Sequence, residues 1–142
     1  MFDGAWSNSP GYNKPVAGYY DVSLNDNVCT SGANSGVHCS VKITDMSRMW
    51  DDKRGAVSTI VGVRQGAGIA AIQGDSGGPV AVPYSSGKVG AVGMIQAVSS
   101  PMMTGTSCGS ARVRGTNKCS KTVLFTSMRT IARSFNAPLV TG

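Results

Sequence analysis

"GDSGGPV", residues 74–80, sets Ser76 between an aspartate and two glycines at the head of an apolar run. A serine that attacks a carbonyl needs its hydroxyl held out on a tight turn, with backbone N–H groups aimed at the oxygen that becomes negative. Small neighbours must let the substrate come close. Gly74, Gly77 and Gly78 permit that geometry. Just upstream, "GAGIAA" (66–71) matches a dinucleotide-binding fingerprint, which must open a helix facing a pyrophosphate. Gly74 and Asp75 follow almost at once and leave no room for one, so Gly66 and Gly68 are expected in a surface loop.

Working outward, 142 residues that are 41% hydrophobic and only 14% charged can bury the core of one domain. Nineteen glycines, Ser/Thr/Asn clusters and short Val/Ile runs favour strands and turns over helices. The net charge is +6, unevenly spread. Residues 1–75 hold six basic residues against seven aspartates; residues 76–142 hold seven basic residues and no acidic one. The basic residues are scattered and lack interleaved aromatics for stacking on bases, which argues against nucleic acid and leaves polyanion binding a distant rival. No apolar stretch approaches the ~20 residues of a membrane span.

Cys29 and Cys39 form one close pair and Cys108 and Cys119 another, without the CxxC spacing or neighbouring histidines that zinc would need. Two local disulfides are expected, and with them an oxidising, extracellular setting. Met1 is followed by "FDGAWSNSPGYN", which has neither a basic start nor an apolar core, so no secretion signal is read in this chain.

Residues 1–24 read as a loop-rich lead-in broken by Pro10, Gly11, Pro15 and Gly18, with at most one strand in "PVAGYYDVSL". Residues 25–142 read as one all-β unit. "NVCTSGANSGVHCSVKIT" is a hairpin with its turn at 31–36, and "GAVSTIVGVR", "GPVAVPY", "KVGAVGMIQAV" and "KTVLFTS" are further strands. About six short antiparallel strands imply a small barrel or sandwich. In "SMRTIARSFNAP" the period changes: Met128, Ile131, Ala132 and Phe135 share one helical face, with Ser127 as N-cap and Asn136 and Pro138 as the stop. That face is expected to pack on the barrel.

The "GDSGGPV" string resembles the nucleophile signature of chymotrypsin-like (trypsin-fold) serine proteases. "NVCTSGANSGVHC" is similar to the hairpin that opens the second barrel of the secreted actinobacterial proteases of the streptogrisin type, and "VGAVGMIQAV" to their substrate-binding strand. From about Asn25 to Phe125 the resemblance is to the C-terminal barrel alone, which implies an antiparallel six-stranded barrel with a short terminal helix. It further implies Ser76 as nucleophile, Gly74 and Ser76 as donors of the oxyanion-hole N–H groups, and Asp75 as the buried carboxylate that shapes the hole. Ile95, Gln96 and Ala97 would lie along the substrate, with Ala70 and Ala71 at the specificity pocket, and no metal or cofactor is implied. Gln96 stands where a serine is usual, and no cysteine lies shortly before Gly74.

The base is harder to place, because the chain has one histidine, His38, beside Cys39 in the stapled hairpin. In the resembled family the catalytic histidine and aspartate belong to a first barrel, in an Ala-(Ala/Gly)-His-Cys segment with no counterpart here. His38 is expected to be structural or substrate-adjacent. Two-barrel chains of this kind run to about 200–250 residues. The expectation is a serine endopeptidase present as the barrel that holds Ser76, with peptide as substrate and a first barrel as missing partner. The alternative is a protease-derived peptide-binding module without catalysis.

Overall fold

The alternation of "SVKI" and "VLF" explains how the barrel fills. Val41 and Ile43, then Val123 and Phe125, are spaced by two and point inward, where they meet Val28, Ile60, Val80, Val92 and Ile95 in one buried core. The computed structural model describes residues 1–5 and 12–142; Pro10 and Gly11, expected to break the lead-in, lie outside the described residues.

Ten strands and one α-helix are described: β1 (Phe2–Asp3), β2 (Tyr12–Asn13), β3 (Val16–Tyr19), β4 (Asn27–Gly32), β5 (Gly36–Asp51), β6 (Ala56–Arg64), β7 (Ala71–Ile72), β8 (Pro79–Pro83), β9 (Val89–Met103), β10 (Cys119–Ser127) and α1 (Met128–Phe135). The expected six-stranded sheet is a correction: eight strands, β3 to β10, belong to it. Six of them, β4, β5, β6, β10, β9 and β8, pair in an antiparallel ring that closes on β4. Closure removes the exposed edges that a flat sheet would present. The two additions are short: β3 lies parallel to the start of β9, and β7 pairs with Cys119 and Ser120 of β10.

Two strands outrun the sequence reading. β5 continues through "DMSRMWD" to Asp51, and β9 runs on to Met103. The β5–β6 extension is a projecting arm with Met46, Met49 and Val57 exposed, so it lacks the inside/outside alternation that marks a strand in sequence. Both disulfides pair as expected, Cys29 with Cys39 across the β4–β5 hairpin and Cys108 with Cys119 around the loop before β10.

Helix α1 begins where expected: the Ser127 hydroxyl accepts from the Thr130 amide, and Asn136 closes the helix in the left-handed region at φ 48°. Arg129 ties it to the barrel through Asp21 at 2.7 Å and lies 4.8 Å from the centre of the Tyr19 ring. Its apolar face needs correcting. Met128, Ile131 and Ala132 are only half-buried and Phe135, in the last turn, is 77% exposed, so the face is covered only in part.

The two phenylalanines therefore separate. Phe125→Ala, at 0% exposure, is expected to cost about 3–5 kcal/mol in urea unfolding. Phe135→Ala should fall within about 0.5 kcal/mol of wild type.

Candidate active site

The short strand β7 delivers the chain to the GDSGG turn, since its pairing with Cys119 and Ser120 fixes Ile72 just before it. Gln73 continues the tether: its amide donates to the Lys118 carbonyl at 2.9 Å and its side-chain oxygen accepts from the Lys118 amide at 2.8 Å. On the other side the Gly77 amide donates to the Ile95 carbonyl, and the Ile95 amide to the Gly78 carbonyl, both at 2.8 Å. The turn is thus strung between β7 and β9. Gly74 sits at φ +100°, a conformation that L side chains rarely adopt, which is why glycine is needed there.

Asp75 is 1% exposed and points away from solvent, beneath the turn. Its carboxylate accepts from the amides of Asn34 (2.8 Å), Ser35 (3.2 Å) and Ile72 (2.9 Å), and from the Ser35 hydroxyl. These donors are three amides and one hydroxyl, with no side-chain cation among them. Three of the four come from the 33–35 turn of the β4–β5 hairpin, so the carboxylate fastens that hairpin to the GDSGG turn. Gly32 is what admits it, because a Cβ at that position would land on the Asp75 carboxyl carbon. The sequence reading passed over Asn34 and Ser35, although "ANSG" at a hairpin tip is a stretch whose backbone donors are unspent by strand pairing.

Above the carboxylate, Ser76 is exposed and its Oγ donates to the Gln96 carbonyl at 3.1 Å. Among the described residues, nothing accepts from the Gly74 or Ser76 amides. In front lies a cleft of about 320 Å³ lined by Gly74, Ser76, Ile95, Gln96, Ala97 and Val98 of the turn and β9, together with Ile72, Gln73 and Trp50. Ile95, Gln96 and Ala97 therefore border the serine as expected. Ala70 and Ala71 are both 0% exposed in the barrel core, and beside the turn the cleft is lined by Ile72 and Gln73. Trp50 reaches the cleft from the end of β5, a contribution that no local pattern announces.

His38 lies in β5 opposite Thr30. Its Nε2 is buried and without a hydrogen-bond partner among the described residues, so it does not reach the Ser76 hydroxyl. Burial holds the imidazole below its ordinary value of 6.5, and the Arg64 cation pushes the same way; the Asp75 carboxylate and the Ser35 carbonyl oppose them without prevailing.

No protein-family model matches the sequence, and no curated protein matches it. Among solved structures, Thermobifida fusca protease A aligns with a TM-score of 0.61 at 20% identity, over 97% of this chain and 60% of its own. Nocardiopsis protease aligns with a TM-score of 0.62 at 20% identity, over 96% of this chain and 59% of its own. This chain has the fold of those proteases. It spans about three-fifths of their length. The expected likeness to secreted bacterial proteases of trypsin-like fold thus holds in the path of the backbone.

Removing one donor from the Asp75 carboxylate tests the cradle: Ser35→Ala is expected to cost about 1.5–3 kcal/mol in urea unfolding, as for a hydrogen bond to a charged group. His38 sets a pH dependence. The unfolded chain binds a proton below about pH 6.5 that the folded chain resists, so stability is full above that pH and declines as pH falls below it. His38→Gln should flatten this part of a stability–pH profile measured from pH 4 to 8.

Proposed function

We propose that this chain is the nucleophile-bearing barrel of a secreted serine endopeptidase, cutting peptide bonds through an acyl-enzyme on Ser76. One observation carries the reading: within a fold shared with two proteases, Ser76 stands exposed on a glycine turn braced by a buried Asp75, beside unengaged amides and an open cleft. The peptide would lie along Ile95, Gln96 and Ala97. As Ser76 Oγ bonds to the carbonyl carbon, a base takes its proton and the carbonyl oxygen becomes negative, received by the amides of Gly74 and Ser76. Collapse expels the amine, which recovers that proton, and water then hydrolyses the ester.

The base comes from a partner in this reading, a first barrel supplying histidine and aspartate, because the His38 Nε2 is buried without a hydrogen-bond partner among the described residues. Among the described residues no carboxylate lines the cleft to pair with a substrate cation. Cleavage is therefore expected after apolar or medium-sized residues. Two disulfides support an extracellular setting.

A second reading, a peptide-binding module without catalysis, is favoured by the Ser76 hydroxyl donating to the Gln96 carbonyl and not to a base. Fluorophosphonate labelling separates the two. The chain alone is expected to label and to turn over chromogenic peptides no faster than Ser76→Ala, since loss of triad members removes about four to six orders of magnitude of kcat. Addition of a complementing first barrel should restore both. Failure of that barrel to restore labelling selects the binding module. Activity of the chain alone that His38→Ala abolishes would make His38 the base.

A further inference from the structure

None of residues 44–58 is buried, although Ile43 before them and Thr59 after them are. This stretch is the projecting arm of β5 and β6. Its own ladder holds it, with Arg48, Met49, Trp50 and Asp51 opposite Thr59, Ser58, Val57 and Ala56. A ladder in water with no buried side chains behind it opens at a much lower free energy than a barrel wall.

The tip of this arm reads "DDKRG", residues 51–55, and every residue from Asp51 to Ser58 is exposed. Lys53 turns through φ 72° and Gly55 through φ 140°. The carboxylates of Asp51 and Asp52 accept from the amides of Lys53 and Arg54 at 2.8 and 2.9 Å, which spends them on the turn backbone. Among the described residues no ion pair holds either cation. Two adjacent cations thus stand at the end of an element that opens easily, the setting in which chains are nicked.

Other exposed cations in loops are tied down. The Lys88 carbonyl accepts from the Tyr84 amide at 2.9 Å across the β8–β9 turn. Arg112, Arg114 and Lys118 lie within the loop closed by Cys108 and Cys119, where the Arg112 amide donates to the Asn34 carbonyl at 2.6 Å and Val113 packs against the buried cluster of Ile69 and Ile72. Trp50 connects the arm to the cleft. It lines the cleft at Ser76 and also a hollow of about 480 Å³ between the arm, β10 and α1, so its place in the cleft wall depends on the arm's ladder.

We propose that the peptide bond between Arg54 and Gly55 is a processing site, cut by a separate protease that recognises a cation, and that the cut releases Trp50 from the wall of the cleft. Water adds across the bond: the C–N bond breaks, Arg54 keeps a new carboxylate and Gly55 a new ammonium. A carboxylate in the pocket of the cutting protease pairs with the Arg54 guanidinium. The cleft at Ser76 has no such group among the described residues, which assigns the cut to another enzyme. The inference holds for either reading of Ser76.

The test is brief digestion of the folded full chain with a trace of trypsin, followed by mass spectrometry. The first cut is expected after Arg54, giving residues 1–54 and 55–142. Neither disulfide spans the cut, but the fragments should stay together in gel filtration because β5 and β6 both belong to the closed ring. The double variant Lys53→Gln/Arg54→Gln, on an exposed turn, should slow this cut at least about tenfold. In a Trp6→Phe background, which leaves Trp50 as the one tryptophan, nicking should shift the emission to the red and raise its quenching by acrylamide. A first cut after Lys88, Arg112, Arg114 or Lys118, or an undiminished rate in the double variant, would overturn the site. Unchanged Trp50 emission in the nicked chain would overturn its release. Cutting at the tip without added trypsin, absent from Ser76→Ala, would overturn the separate protease.

Discussion

A carboxylate taken out of water has to be met by donors, and the arrangement around Ser76 follows from how Asp75 meets this demand. Three amides and a hydroxyl converge on it, two of the amides from the tip of a hairpin some forty residues earlier in the chain. Each donor is neutral, so attachment of the hairpin to the GDSGG turn depends on geometry and not on an ion pair. Gly32 leaves space for the carboxyl group, and with Asp75 turned downward its neighbour Ser76 is turned outward.

Barrel closure supplies the frame on which this contact is made. β4 carries the hairpin tip and β9 an edge of the cleft; β8 pairs with both and follows directly from the GDSGG turn. The turn therefore starts from one strand, β7, and ends in another, β8, that are both fixed elsewhere in the sheet. Such a loop has little freedom left, which lets a hydroxyl and two amides stay in place without a bound ligand.

What is built in this way is an exposed serine on a braced glycine turn. The one histidine lies in the β4–β5 hairpin, where burial and Arg64 hold its pKa down beside the Asp75 cradle. The proteases whose fold this chain shares have about two-fifths of their own length beyond the aligned part.

Much of this was legible in the residues. Short Val/Ile runs between turn residues located the strands that line the core, Ser127 and Asn136 marked the helix ends, cysteine spacing paired the disulfides, and "GDSGGPV" singled out Ser76, because each of these signals is local and reports on its own neighbourhood. The signal failed where burial on one side was missing: the outer part of β5 is exposed on its projecting arm and Phe135 hangs past the barrel wall, and neither could be told from a packed or unpaired segment by pattern. The sequence by itself determined an all-β chain with a serine poised on a glycine turn. Only the tertiary structure decided that Asn34 and Ser35 would hold Asp75, that Trp50 and Phe2 would border two hollows at Ser76, and that the Ser76 hydroxyl would meet the Gln96 carbonyl. Those relations join segments tens of residues apart, and no local preference encodes which of them the closing of the barrel brings into contact.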